Sequence, residues 1–320
     1  MKTPKNVLIT GSLGFIGSHL ASRLRSAQFQ VLTPEFQLLD YASIDKAFRQ
    51  IKADGTELDI LIHLAGISHI PTCENDPTLA IQTNLGGTTL LLHALRTHFP
   101  KAVLVFASTG QVYSTKEMKA RAEEIAFTED SPISPQNLYA TTKWQAELLI
   151  RDASEHWGLN SVILRLFNHT HFTQAPDFFL PKIYHELKKA KDGDKIAVGD
   201  LSVYRDIGSI VDLLTVLEKL TVKLTGGDSV KLTARQTEEL SSTVVFNVAS
   251  GIPKNLQKLA EGLREKLGVQ CEFVTDAKFL RPGEAASIKG NSAKLYSYLG
   301  ISPSSLNEGT LIEQFLAEIE

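Results

Sequence analysis

The chain has 320 residues, 43% of them hydrophobic and 22% charged, with a formal net charge of -3. This length holds one large domain or two closely joined ones with a sizeable core, and the composition excludes a disordered chain. No global positive field exists to hold nucleic acid or an anionic membrane, and the two cysteines, Cys73 and Cys271, rule out a disulfide framework or a cysteine zinc site.

The chain runs from MKTPKNVLIT straight into a glycine-rich turn, which leaves no room for the apolar stretch of a signal peptide, and no later run approaches membrane-spanning length. A cytoplasmic location, with no membrane or nucleic-acid partner, is the expectation. Val7-Leu8-Ile9 reads as a strand, 14–27 as a helix, 30–32 as a strand and 41–52 as an amphipathic helix with Asp40 as N-cap. The apolar runs 59–64 and 102–108 have the continuity of strands buried on both faces of a parallel sheet. A long helix over 77–98 separates them, and a helix starting near Tyr139 leads to a strand at 161–166. Strands separated by single helices predict an α/β fold with a doubly wound parallel sheet.

The alternation weakens after Asn168. Short strands are expected at 196–198 and 203–204, a helix at 210–220, a buried strand at 244–248, and helices at 255–267 and 310–319. The polar stretch 221–243 reads as a loop, with a hairpin around Gly226-Gly227. The expected organisation is a dinucleotide-binding domain over 1–168, to which 206–250 returns. A smaller mixed substrate-binding domain would comprise 169–205 and 251–320.

Thr10-Gly11-Ser12-Leu13-Gly14-Phe15-Ile16-Gly17 lies between a strand and a helix. Glycines there allow a tight turn and let backbone N–H groups approach a pyrophosphate at the positive end of the helix. Tyr139 and Lys143 stand four residues apart on one helical face. An ammonium beside a phenol, whose free pKa is about 10, stabilises the phenolate and eases proton transfer near neutrality. Thr33 to Asp40, at the end of the second strand, holds no Lys or Arg to offset a 2′-phosphate, which favours NAD(H) while leaving NADP(H) open.

These motifs, with His63-Leu64-Ala65-Gly66, Asn84 and the Y-x-x-x-K of Tyr139 to Lys143, resemble the extended, sugar-nucleotide-modifying branch of the short-chain dehydrogenase/reductase superfamily, which has a Rossmann-like fold. The resemblance implies a catalytic set of Thr109, Tyr139 and Lys143. It further implies cofactor contacts from Gly11, Leu13, Gly14, Phe15, Ile16, Gly17, Gln37, Leu38, Leu64, Ala65, Gly66, Asn84, Ala107, Tyr139, Lys143 and Leu166. Related 4,6-dehydratases carry acids just after the position of Thr109, where this chain has Gly110 and Gln111, and an amide cannot do that acid–base work.

The segments 165–169, 198–206, 247–251 and 280–284 resemble the GDP-6-deoxy-4-keto-mannose reductases, the GDP-rhamnose-forming family. That likeness implies substrate contacts from Ser68, Thr109, Gln111, Asn168, Arg205, Arg281 and Glu284, with the two arginines gripping a diphosphate. The bland reading of Arg205-Asp206 is a structural ion pair. His169 and His171 could face one way as metal ligands, but no third ligand is visible nearby and no metal is expected. Leucines 85, 90, 91, 92 and 95 cover more than one helical stripe, which suggests a helix-to-helix homodimer face beside the core.

The expected activity is NAD(P)H-dependent reduction of the C4 ketone of a nucleotide-linked 4-keto-6-deoxyhexose, with GDP the favoured nucleotide. Two other readings stay open. One is a sugar-nucleotide 4-epimerase with tightly bound NAD, and the other a non-catalytic dinucleotide sensor.

Overall fold

In the computed structural model, residues 5–115, 126–226, 243–280 and 285–318 are described. The strands are β1 (Asn6–Thr10), β2 (Gln30–Leu32), β3 (Ile60–His63), β4 (Val103–Thr109), β5 (Ala126–Phe127), β6 (Ser161–Leu166) and β7 (Asn168–Thr170). After them come β8 (Lys195–Val198), β9 (Tyr204–Ser209), β10 (Thr243–Val248), β11 (Pro253–Asn255), β12 (Glu272–Thr275) and β13 (Ser287–Gly290). The helices begin with α1 (Phe15–Ser26), α2 (Tyr41–Ala53), α3 (Ile70–Asn75), α4 (Pro77–Ile81), α5 (Gly87–His98) and α6 (Leu138–Trp157). They continue with α7 (Phe179–Lys189), α8 (Ile210–Thr225), α9 (Leu256–Leu267), α10 (Ala293–Leu299) and α11 (Glu308–Leu316).

The chain divides into two compact units. The first comprises Met1–Val112, Ile133–Leu166 and Leu214–Phe246, and the second Tyr113–Pro132, Phe167–Leu213 and Asn247–Glu320. In the first, a six-stranded sheet has the order β10-β6-β4-β3-β1-β2, with β2, β1, β3, β4 and β6 parallel. Leu8, Leu61, Leu104, Phe106 and Ile163 from these strands are buried, because helices cover the sheet and leave no polar face. Asp40 caps α2 by accepting from the Ala42 N–H, as its position predicts. Strand order reverses between β1 and β3, and in a doubly wound sheet the crevice beyond the carboxyl ends of such a pair takes the ligand.

The second unit holds a five-stranded sheet ordered β11-β9-β13-β5, with β7 also paired to β9, and a separate parallel pair of β12 and β8. Its helical core packs Leu180, Ile183 and Leu187 of α7 with Leu259 and Leu263 of α9 and Leu311 and Phe315 of α11.

Two expectations need correction. The long helix over 77–98 is α4, a π-helical turn (Gln82–Gly86) and α5 in succession. The loop expected from 221 begins later, because α8 continues through Thr225, with the Thr221 hydroxyl donating to the Leu217 carbonyl and that of Thr225 to Thr221. Residues 227–242, and Gly227 of the expected hairpin with them, lie outside the described residues. Helices α3, α7 and α10 and strands β5, β7, β11, β12 and β13 have no counterpart in the sequence reading.

Candidate active site

The glycine-rich turn joins β1 to α1 in the crevice where strand order reverses. Gly11 has φ +71°, and a Cβ built on it would stand 2.7 Å from the Ala65 nitrogen, so the turn presses against the segment leaving β3. A Cβ on Gly17 would lie 2.1 Å from the Gly11 carbonyl oxygen. Side chains at either position would close the cradle. Gly14 is the N-cap of α1 and supplies no side-chain acceptor, so the first-turn N–H groups remain for an anion. Leu13 is 98% exposed at the lip, while Phe15 and Ile16 are half-buried. This cradle fits a dinucleotide pyrophosphate.

Behind the cradle runs a chain of hydrogen bonds that fixes the segment after β3. The Thr10 hydroxyl accepts from the Ala65 N–H (3.3 Å) and donates to His63 Nδ1 (2.7 Å). His63 Nε2 meets the Thr88 hydroxyl at 3.1 Å, and that hydroxyl donates to the Asn84 carbonyl at 2.6 Å. This direction makes His63 the neutral Nε2–H tautomer. Burial pushes its pKa down to about 3, with the nearby Lys143 charge adding to the effect. Asn84 lies in the π-helical turn and spends its amide inside the protein. Oδ1 accepts from the Ile67 N–H at 2.8 Å, and Nδ2 donates to the Ile67 carbonyl (3.0 Å) and the Thr142 hydroxyl (3.1 Å). Asn84 thereby ties the 64–68 segment to α6. Ser68 is exposed on that segment, where Leu64 and Ala65 are half-buried and Gly66 is exposed.

Thr109 ends β4, and Tyr139 and Lys143 occupy the first two turns of α6, whose N-cap Asn137 accepts from the Ala140 N–H at 2.9 Å. The Thr109 side chain is near enough to the Tyr139 phenol to bear on its titration. Burial nevertheless pushes that phenol up to about 12, with Thr109 working against the rise and Cys73 adding to it. The sequence expectation of a phenol eased toward neutrality by Lys143 is thus not what the resting site presents. Lys143 is buried, its ammonium 4.2 Å from the centre of the Phe106 ring. Burial brings it down to about 8, against the pull of Glu147.

Glu147, one turn beyond Lys143, forms a fully buried pair with Arg165 of β6. Arg165 Nη2 donates to Glu147 Oε2 at 2.7 Å, and the Ser108 hydroxyl donates to Oε1 at 2.5 Å. Ser108 neighbours Thr109 on β4, so the pair locks the Lys143-bearing helix to the strand that presents Thr109. The sequence reading missed Glu147, although its four-residue spacing from Lys143 is the available signal. It also missed Asn137, which precedes the helix it began near Tyr139.

Gln111 is exposed, its N–H donates to the Thr109 hydroxyl at 3.2 Å, and its carboxamide oxygen accepts from Asn137 Nδ2 at 3.0 Å. Ala107 and Leu166, at the carboxyl ends of β4 and β6, are half-buried. Exposed Gln37 donates its N–H to the Ser43 hydroxyl, and half-buried Leu38 packs on α5 at Gly87. Arg23 is committed to Glu218 at 2.6 Å, away from the second-strand segment that lacks Lys and Arg.

In the second unit, Asn168 of β7 is exposed and donates to the Asp206 carbonyl at 3.3 Å. Arg205 of β9 donates to the Tyr204 carbonyl at 2.6 Å. Its strand neighbour Asp206 points to the opposite face of β9. Asp206 is fully buried and accepts from the Ser250 hydroxyl (2.6 Å) and from the N–H groups of Ser250, Gly251 and Gly290. Burial raises its pKa against these donors. Arg281 and Glu284 lie outside the described residues. His169 and His171 serve locally: His169 Nδ1 bonds the Phe167 carbonyl, and His171 bridges Thr173 and the Ala317 carbonyl. Among the described residues no group of side chains could hold a metal, and no helix is long and apolar enough to cross a membrane.

The family profile described as GDP-mannose 4,6 dehydratase matches residues 33–312. A GDP-6-deoxy-D-mannose reductase from Pseudomonas aeruginosa is 28% identical over 306 residues, 93% of this chain and 92% of the relative. The solved structure of RMD from Pseudomonas aeruginosa complexed with NADPH superposes with a TM-score of 0.80 at 26% identity, covering 97% of each chain. A Thermus thermophilus UDP-glucose 4-epimerase complex with NAD gives a TM-score of 0.76 at 23% identity, covering 97% of this chain and 98% of that one, which is a likeness of fold.

Proposed function

The chain belongs to the GDP-mannose 4,6 dehydratase family, and from that premise we propose that it reduces the C4 ketone of a nucleotide-linked 4-keto-6-deoxyhexose, GDP-6-deoxy-4-keto-mannose, with a reduced nicotinamide dinucleotide. The observation that carries the reading is the grouping of Thr109 and the Tyr139 phenol with buried Lys143, with Gly110 and Gln111 where a dehydratase needs acids. The likeness to a GDP-6-deoxy-D-mannose reductase over nearly the whole chain supports the same reading.

Gly11, Gly14 and Gly17 would hold the pyrophosphate of a dinucleotide and Lys143 its nicotinamide ribose, and the reduced nicotinamide would supply hydride. Tyr139, protonated at neutral pH because burial keeps it so, gives its proton to the oxygen that was the ketone. Lys143 then stabilises the phenolate left behind, and Thr109 orients the ketone through its hydroxyl. The likeness assigns Arg205 and Arg281 to the diphosphate, Asn168 to the diphosphate or sugar, and Glu284 to the nucleotide ribose. The second unit would serve as the substrate-binding domain, the first as the dinucleotide domain.

The absence of Lys and Arg in 33–40 supports NADH being used at least as well as NADPH. The NADPH complex of the Pseudomonas aeruginosa protein makes the comparison a necessary one. The test offers both nicotinamides with GDP-6-deoxy-4-keto-mannose and, separately, GDP-mannose with NAD⁺. Reduction of the ketone, with no dehydration of GDP-mannose, is the expected result. Dehydration of GDP-mannose by the wild type would overturn the assignment.

A further inference from the structure

We infer that Asn137 is a positioning residue that fixes the carboxamide of Gln111, so that a sugar at the Thr109–Tyr139 centre meets the N–H donors of the Gln111 side chain. The inference rests on the proposed ketone reduction.

The argument is one of direction. A backbone N–H only donates, and the Ala140 N–H points at the Asn137 side chain across 2.9 Å. The oxygen of Asn137 must therefore face Ala140, which leaves Nδ2 for Gln111, at 3.0 Å. An amide nitrogen only donates, so Gln111 must present Oε1 to it. The polar group of Gln111 turned away from Asn137 is its Nε2 amino group, with two N–H donors. The helix cap thus decides, through two amides, the polarity that Gln111 offers outward.

That polarity sits next to the reacting groups. The Gln111 N–H binds the Thr109 hydroxyl, whose side chain lies near the Tyr139 phenol, and Asn137 is two residues before Tyr139 in the chain. The Gln111 side chain is exposed, whereas Thr109 is buried, so the carboxamide stands at the solvent edge of the centre. A ketone oxygen has only lone pairs and sugar hydroxyls accept as well as donate, so each is met by N–H groups there. A freely rotating Gln111 would offer its oxygen to them half the time.

Four variants test this in steady-state reduction of GDP-6-deoxy-4-keto-mannose with NADH: Asn137→Ser, Asn137→Asp, Gln111→Ala and the double variant Asn137→Asp/Gln111→Ala. Ser and Asp are both good N-caps, so melting temperature and NADH affinity should stay at wild-type values. Asn137→Ser releases the amide and should raise KM by about two- to threefold, while Asn137→Asp inverts it and should raise KM by roughly tenfold, the range of one neutral hydrogen bond. kcat should change little, since the bond is made to bound substrate as well as to the transition state. Gln111→Ala should cost about the same as the inversion, and Asn137→Asp should add less than about twofold in that background.

Equal losses from Asn137→Asp in both backgrounds would mean that its charge or its capping acts independently of Gln111, and would overturn the inference. So would wild-type KM values in both Asn137 variants. A wild type that leaves the ketone unreduced takes the proposed function down, and the inference with it.

Discussion

Tyr139 keeps its proton because burial lifts the phenol to about 12, which suits a group whose task is to give a proton to an alkoxide. Tyr139→Phe should lower kcat by about 10²–10⁴-fold, the range typical of a general acid, while NADH affinity measured by fluorescence titration stays unchanged. Near-normal kcat in that variant would remove Tyr139 from the chemistry. His63 shows burial acting on a base. Its pKa falls to about 3 in the folded chain from 6.5 when exposed. Between those values the unfolded chain binds a proton that the folded chain refuses, so stability falls as pH drops below 6.5. For this one histidine the loss between pH 7.5 and 5.5 is on the order of 1 kcal/mol. Urea titrations at the two pH values should register it, and His63→Gln should flatten the difference. An equal drop in the variant would assign the acid sensitivity elsewhere, with His169, lowered to about 4, the next group to test.

Helix α6 carries both reacting side chains, and its placement depends on the buried Glu147–Arg165 pair joining it to β6 and, through Ser108, to β4. Glu147→Gln strands a buried guanidinium and should destabilise the protein by about 3–5 kcal/mol. The double change Glu147→Leu/Arg165→Met removes both charges and should cost less in urea unfolding than the single one. A larger cost for the double change would contradict this account. The parallel strands were legible because β1, β3, β4 and β6 are continuous apolar runs, and α2 was legible from its amphipathic period and Asp40 cap. The Gly11 turn and the Tyr139–Lys143 spacing were readable because each depends on local geometry. The π-helical turn at Asn84 was not, since a helical pattern one residue out of step looks like an ordinary helix until its partners Ile67 and Thr142 are in place. Short strands such as β5 and β7, of two and three residues, have no period to detect. The direction of the Tyr139 shift was hidden as well, because spacing reports that Lys143 is near and says nothing of desolvation.

At the scale of the molecule, the leucines expected at a dimer face divide differently. Leu91, Leu92 and Leu95 are buried in the core of the first unit, and Leu85 and Leu90 pack against it. The apolar surface left open on these helices includes Leu79 and Ile81 of α4 with Leu148 and Leu149 of α6, each at least 36% exposed. We propose a homodimer through this face. Light scattering should give twice the chain mass, and Leu148→Glu should shift it toward the monomer; a wild-type monomer at micromolar concentration would exclude the arrangement. The order of strands has a consequence for synthesis. β6 ends at Leu166, yet the strand that covers its outer edge, β10, begins only at Thr243. At about 5–20 residues per second, a ribosome leaves that apolar edge unpaired for roughly 4–15 seconds. Throughout that interval the nascent sheet displays an open row of backbone donors and acceptors, the kind of template on which neighbouring chains aggregate. A premature stop before Thr243 would make that exposure permanent, so nascent-chain chaperones have their clearest task in this protein between those two strands.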